Sequence, residues 1–251
     1  MNQAGDLARL RDFTPARVAL GRAGHSLPTR DLLDFQLAHA RARDAVHAQL
    51  DPQALALELR RIIGECLLAH SAAADRSIYL RRPDLGRRLS DDSRRSLISH
   101  AGRFDAAFII ADGLSALAVE RHAAPMLEAI LALLDPSDWK PSPPVIVQQA
   151  RVAIADDIAH SLSAFLSVVL IGERPGLGSP DSLSIYLTWN PHPGLTDADR
   201  NCISNIRAEG LSYSAAAQTL LFLMTESRRR KISGVALKAA AAAILPHRES
   251  S

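Results

Sequence analysis

Three stretches of this sequence bring carboxylates and amides to places where a ligand could meet them. Glu173 follows an apolar, β-branched run, Val168-Val169-Leu170-Ile171, and sits in Gly172-Glu173-Arg174-Pro175-Gly176. An apolar run cut short by Gly and Pro reads as a buried strand ending in a loop. In open α/β sheets, ligands sit in the crevice outside the carboxyl ends of such strands. A charge placed there is costly unless something pairs with it. Asp112 ends a second run of this kind, FDAAFIIA (Phe104 to Ala111), and leads through Gly113-Leu114-Ser115 into a helix start. A strand, a Gly-containing turn and a helix N-terminus together suit anions and polar ligands. Because Asp112 would repel phosphate, this turn is expected to hydrogen-bond hydroxyls or amides. Asn201-Cys202-Ile203-Ser204-Asn205 supplies further donors and acceptors. The whole stretch from Leu166 to Arg207 reads as the wall of a binding site.

The remaining inventory argues for binding rather than self-contained catalysis. None of the nine histidines lies in H-E-x-x-H, and neither G-x-S-x-G, a P-loop nor G-x-G-x-x-G is present. Asp156 and Asp157 are adjacent, so on a helix they point to different sides and cannot form an acid–base pair. His160 alone is read as a core or surface residue. Four arginines in Arg81-Arg82-Pro83-Asp84-Leu85-Gly86-Arg87-Arg88 could meet phosphate or carboxylate, but solvent or a subunit contact is the plainer reading. Cys66 and Cys202 share no metal-type spacing. No catalytic residue and no metal ligand is assigned.

A length of 251 residues allows one large domain or two modest ones. A formal charge of +2 is too small for a nucleic-acid footprint, and 4% aromatics leave little to stack on single strands. The beginning lacks the apolar stretch of a signal peptide, and Ala236 to Leu245 is too short for a membrane span, so a soluble, cytoplasmic chain is expected.

Thr14-Pro15 has the form of a helix start, after a frayed beginning before Phe13. Thr29 can cap a helix to His47 with Leu33, Leu37 and Ala40 on one face. Asp51-Pro52 opens another helix, whose apolar stripe runs from Leu55 to Leu67. Ser90 caps a short helix reaching Ala101. Pro125 is expected to break or kink the helix after Ser115 near Ala124. Strands are expected at 104–111, 145–150, 168–171 and 182–188, and Ser212 caps a helix to about Arg230. Strands alternating with helices imply an α/β fold. The expectation is a Rossmann-like, mainly parallel sheet flanked by helices (73–251), preceded by a small N-terminal helical unit (1–72).

LIGERPGL, SPDSLSIY and ADRNCISNIR resemble the small subunit of ethanolamine ammonia-lyase, a two-subunit adenosylcobalamin enzyme. So do FTPARVALGRAGHSLPTRDLLDFQLAHARARDAVH, YLRRPDLGRRLS, IADGLSALAVERHA and VQQARVAIADDI, and together the blocks cover nearly the full chain. The resemblance implies a lyase that converts ethanolamine to acetaldehyde and ammonia by radical chemistry. In that family a large barrel subunit binds ethanolamine, and the small subunit helps hold the cofactor, so this chain alone should be inactive. Residues matching the family's cobalamin contacts are Val152 through its backbone amide, Glu173 through its carboxylate and Cys202 through its backbone carbonyl. For Glu173 the competing reading is an internal salt bridge to Arg174 or Arg207; for Val152 and Cys202 it is core packing. The D-x-H-x-x-G motif is absent, so the cofactor should keep its own base on cobalt.

The implied partner is the large subunit in a hetero-oligomer, in free cytosol or a bacterial microcompartment; nucleic acid and membrane are not expected. Two rival readings stand beside this one. The first is a stand-alone α/β enzyme acting on a nucleotide or sugar through the Asp112 and Glu173 loops. The second is a purely structural assembly subunit.

Overall fold

The computed structural model describes Arg9, Phe13, residues 16–22 and residues 24–237. The helix start at Thr14-Pro15 and most of the alanine-rich segment after Ala236 lie outside the described residues.

Two helices precede the sheet: α1 (Thr29–His47) and α2 (Pro52–Ile63). Asp51 caps α2 by accepting from the Gln53 and Ala54 N–H groups, with Pro52 in the first turn. Thr29 does not cap α1; the cap position is Pro28, which offers no side-chain acceptor. The apolar stripe of α2 also stops earlier than its periodicity predicts. Gly64 takes φ +78° at the helix end, and Leu67 begins a strand, β1 (Leu67–His70). A continuous apolar run cannot by itself tell a helix turn from a buried strand.

Beyond β1 come α3 (Arg76–Arg81), α4 (Asp91–Ile98), β2 (Phe104–Ala111), α5 (Ala116–Leu131), β3 (Val145–Gln148), α6 (Ile154–Leu162), β4 (Ala164–Gly172), β5 (Leu183–Trp189), β6 (Arg200–Ile206) and α7 (Tyr213–Arg230). Ser90, Ser115 and Ser212 cap α4, α5 and α7 through their hydroxyls, as their positions in the sequence predict. Pro125 does not break α5, which runs unbroken to Leu131. Ala123, Ala124, Met126 and Leu127 around it are buried, so packing offsets the missing backbone donor.

The six-stranded sheet has the order β1-β3-β2-β4-β5-β6. Its first four strands are parallel, and β5 and β6 are added antiparallel. The result is a mixed α/β fold with a mostly parallel sheet. One face packs against α2, α5 and α7 through residues such as Phe108, Leu127, Leu170 and Leu220. The other packs against α4 and α6 through Leu97, Ile109, Ile158 and Val169. β2, β3 and the inner part of β4 are buried on both faces, which is why they read as unbroken apolar runs. Their carboxyl ends lie side by side and deliver Asp112, Gln149 to Val152, and Glu173 to one edge.

Candidate functional site

The turn after β2 and the loop after β4 meet backbone to backbone. The Leu114 N–H donates to the Gly172 carbonyl at 3.0 Å. A Cβ on Gly113 would lie 2.3 Å from that carbonyl oxygen, and one on Gly172 would lie 2.1 Å from the Ser115 carbonyl oxygen. Only glycines admit this approach, and Gly113 also takes φ +58°. Ser115 adds a hydrogen bond to the Pro180 carbonyl, tying the helix start to the β4–β5 loop.

Asp112 does not face a ligand. It is 1% exposed, and its carboxylate accepts from the Gln149 N–H at 2.8 Å and the Ala150 N–H at 2.9 Å. Arg76 stands 3.4 Å away and also donates to the Gly113 carbonyl. The expected amide partners are therefore this chain's own. They hold the end of β3, where Gln149 takes φ +55°, a conformation that needs such support. A buried, hydrogen-bonded carboxylate of this sort costs several kcal/mol to orphan.

The next layer is Tyr79, fully buried, with its hydroxyl donating to the Ala150 carbonyl at 3.0 Å. The Arg76 guanidinium lies 4.7 Å and that of Arg151 4.3 Å from its ring centroid. Each such contact is worth roughly 0.5–2 kcal/mol. The Arg151 N–H donates to the Gly86 carbonyl at 2.7 Å. Asp112, Tyr79 and Gly86, on three separate segments, thus fix the turn that carries Val152. Among the described residues, the Val152 N–H has no protein acceptor, although its carbonyl receives the Ala155 N–H.

Val152 borders two cavities. One, of about 140 Å³, is lined by Tyr79, Gly113, Val152, Glu173, Ser184 and Tyr186 among others. The larger, about 740 Å³, opens at the N-terminus of α6 between Arg87, Arg94, Arg151, Asp156, Leu195 and Arg200. Arg151 belongs to both, and to a third of about 400 Å³ beside α1. Among the described residues, the Nε of Arg151 is buried without a hydrogen-bond partner. Asp156 and Asp157 serve different arginines, as their adjacency predicts: Asp156 pairs with Arg200 inside the protein, and Asp157 with Arg94 at 2.7 Å. Burial pushes the Asp156 carboxyl up to about 6 despite Arg200.

Glu173 is half-buried and forms no salt bridge to Arg174 or Arg207. Its Oε1 accepts from the Ser184 hydroxyl and from the Asn205 N–H at 2.9 Å. Arg207 instead donates to Asn205 and to the Gly178 carbonyl. Among the described residues no donor reaches Glu173 Oε2. Cys202 is exposed and pairs with Tyr186 across β5 and β6. Burial, reinforced by Cys202 and Glu173, pushes the Tyr186 hydroxyl up to about 12, so it stays a donor. Asn201 is not available to a ligand, because its amide brackets Gly234 with bonds of 3.1 and 2.7 Å.

Val152 and Glu173, which lie far apart in sequence, therefore line one cleft with Ser184 and Tyr186, and Cys202 lies opposite Tyr186 in the sheet without lining that cleft. Ser184, Tyr186 and Arg151 were missed by sequence reasoning. A signal existed for the first two: Ser184 and Tyr186 alternate with Ile185 and Leu187, so a period of two puts them on one face of β5. Arg151 carried no signal, since its role depends on Tyr79, 72 positions away.

A chemically useful edge results, with a free amide donor at Val152, a fixed acceptor at Glu173 and the Tyr186 phenol lining the same cleft. It suits neutral polar groups that both give and take hydrogen bonds.

Comparison with known proteins bears on what those groups are. The model of the family described as ethanolamine ammonia-lyase light chain (EutC) matches residues 4–238. A protein of Pseudomonas paraeruginosa named ethanolamine ammonia-lyase small subunit is 59% identical over 233 residues, covering 91% of this chain and 85% of its own length. Its namesake in Pseudomonas fluorescens is 57% identical over 233 residues, covering 91% and 84%. That of Xanthomonas campestris is 57% identical over 235 residues, covering 92% and 86%.

Proposed function

This chain belongs to the ethanolamine ammonia-lyase light-chain family, and from that premise we propose that it holds adenosylcobalamin jointly with a large subunit. The reaction of the joint enzyme is the conversion of ethanolamine to acetaldehyde and ammonia. The cofactor, when bound, supplies the radical chemistry; protein supplies binding, orientation and exclusion of side reactions.

The observation that carries this reading is that Val152 and Glu173 line one cleft with Tyr186, the residue that Cys202 pairs across the sheet. The residues fit the group. A corrin is rimmed by carboxamides, each a donor and an acceptor at once. The Val152 N–H and Glu173 Oε2 offer the complementary pair, and neither is consumed by the described residues. Glu173 is held in place through its other oxygen, so little side-chain freedom is lost on binding. Tyr186 stays protonated beside it and can donate. Arg151, stacked on Tyr79, brings a buried donor to the junction of the cavities. No residue of the cleft is assigned a proton-transfer or metal-ligating task.

Purified chain is mixed with adenosylcobalamin and ethanolamine, with and without the large subunit. Turnover is expected only in the mixture, and Glu173→Ala should weaken cobalamin retention by the complex. Full turnover by the chain alone sinks the reading. Unchanged retention in Glu173→Ala favours the assembly-only role.

A further inference from the structure

The arginine-rich loop from Arg81 to Arg88, which in sequence suits either a ligand or solvent, divides in the structure. Arg82 pairs with Asp84 at 2.7 Å, and Arg81 turns back to the Ser77 carbonyl. Arg87 and Arg88 instead line the cavity of about 740 Å³ at the N-terminus of α6, together with Arg151 and Arg200. Their backbone is fixed, because the Gly86 carbonyl takes the Arg151 N–H and the Arg88 carbonyl takes the Ala72 N–H. A Cβ on Gly86 would lie 3.0 Å from the Arg151 side chain and from the Tyr79 ring, so the loop is pressed against the turn it holds.

Charge in this cavity does not balance. Asp156 is answered by Arg200, and Asp157 by Arg94 through bonds of 2.7 and 2.8 Å. Among the described residues, Arg87, Arg88 and Arg151 enter no ion pair, and the lining sets one unpaired carboxylate, Asp197, against them. Buried donors are also without acceptors. Arg200, with its side chain 2% exposed, has an Nε with no hydrogen-bond partner among the described residues, and so has Arg151. No side chain caps α6, and the Ala153 N–H at its mouth has no protein acceptor among those residues. Buried donors are rarely unpaired in a folded protein, so these call for an acceptor. Asp156 Oδ1 is unpartnered too, and the burial that raises its carboxyl to about 6 brings it within reach of a proton, which turns an acceptor into a donor.

We propose that this cavity is a phosphate site, with Arg87, Arg88 and Arg151 as its cations and Arg200 and the Ala153 N–H as further donors. Guanidinium forks match phosphate oxygens in pairs, and a helix N-terminus offers backbone donors to an anion. The donors arrive from a loop, a turn, a helix and a strand. That spread suits a tetrahedral group, whose oxygens point in several directions, better than a flat carboxylate. The volume falls within the range of about 300–1,000 Å³ usual for small-molecule sites, so the phosphate belongs to a small ligand and not to a polymer. Two sources share this chemistry. One is free phosphate. The other, which rests on the cofactor reading above, is the phosphodiester in the nucleotide tail of cobalamin, because the cavity shares Arg151 and Val152 with the cleft of Glu173.

Inorganic phosphate is titrated into the full chain and followed by phosphorus NMR. Cobalamin, and cobinamide, which lacks the nucleotide tail, are bound to the two-subunit complex in equilibrium dialysis. Arg87→Gln with Arg88→Gln is compared with Arg87→Lys with Arg88→Lys. A third variant, Arg61→Gln with Arg95→Gln, removes two exposed charges outside the cavity. Arg87 and Arg88 are exposed, so all three variants should melt like the unaltered chain. The Gln pair should bind phosphate at least about tenfold more weakly, as expected for lost hydrogen bonds to a charged group. The Lys pair should lose less, and the outside pair should bind normally. A tail source extends the loss to cobalamin and spares cobinamide, whereas a free-phosphate source leaves both corrinoids held as before. Phosphate and cobalamin held equally by the Gln pair and the unaltered chain overturn the site, and so does an equal loss in the outside pair. A complex that holds neither corrinoid while the chain binds phosphate overturns the cofactor reading and leaves the site standing.

Discussion

Asp112 and Glu173 end neighbouring parallel strands, each beside a glycine, and the sequence around them looks much alike. Their surroundings differ. Asp112 is 1% exposed, with both oxygens occupied by backbone N–H groups and an arginine behind them. Glu173 is half-buried, with one oxygen engaged. The first carboxylate shapes the neighbouring turn, and the second is presented by its own loop. Two carboxylates at adjacent strand ends therefore divide into one that builds the cleft and one that faces it. What separates them is the number of donors that reach each from other segments.

The comparison can be broken by experiment. The largest effect is expected for Asp112→Ala, which strands Arg76 and two N–H groups and should cost about 3–5 kcal/mol in urea unfolding. A change well under that would show that the carboxylate is not structural. Gly172→Ala comes next. Its Cβ would lie 2.1 Å from the Ser115 carbonyl oxygen, and forcing the two loops apart should cost about 1–3 kcal/mol in the same assay. Glu173→Ala should leave stability within about 1 kcal/mol while lowering cobalamin affinity of the two-subunit complex about tenfold, read by equilibrium dialysis. If stability fell as far as in Asp112→Ala, the division of labour would be lost.

The smallest effect concerns His122, on the helix that follows the Asp112 turn. Burial lowers its pKa from the ordinary 6.5, and Asp181 at 3.7 Å opposes the shift. With a lowered folded pKa, the unfolded chain takes up the proton first. The contribution to stability is full above about pH 6.5 and is lost as pH falls below it. Melting temperatures from pH 7.5 to 5.5 should fall less steeply in His122→Gln than in the unaltered chain. A steeper fall in the variant would contradict that sign.

Much of the fold was legible because the signals are local. Phe104–Ala111 is a strand over the range its apolar density marks, and Asp51, Ser90, Ser115 and Ser212 cap the helices they precede. The misreadings arise where one pattern serves two structures. Leu67 continues a helical stripe in sequence but begins β1, and Pro125 has a breaker's chemistry but sits in a buried helix that outlasts it. Leu33 and Leu37 share one face, as their spacing predicts, and both are exposed, because periodicity marks which residues share a face and not what covers it.

The sequence by itself determined four of the six strands, most helix starts and the family, since each rests on neighbours in the chain or on ordered blocks of residues. Tertiary structure alone decided that Asp112 is spent on Gln149, Ala150 and Arg76, and that Glu173 keeps an oxygen free. It also brought Cys202 beside Tyr186 and Arg151 onto Tyr79. A carboxylate's role depends on which donors arrive from segments dozens of residues away, and one-dimensional spacing carries no record of that arrival.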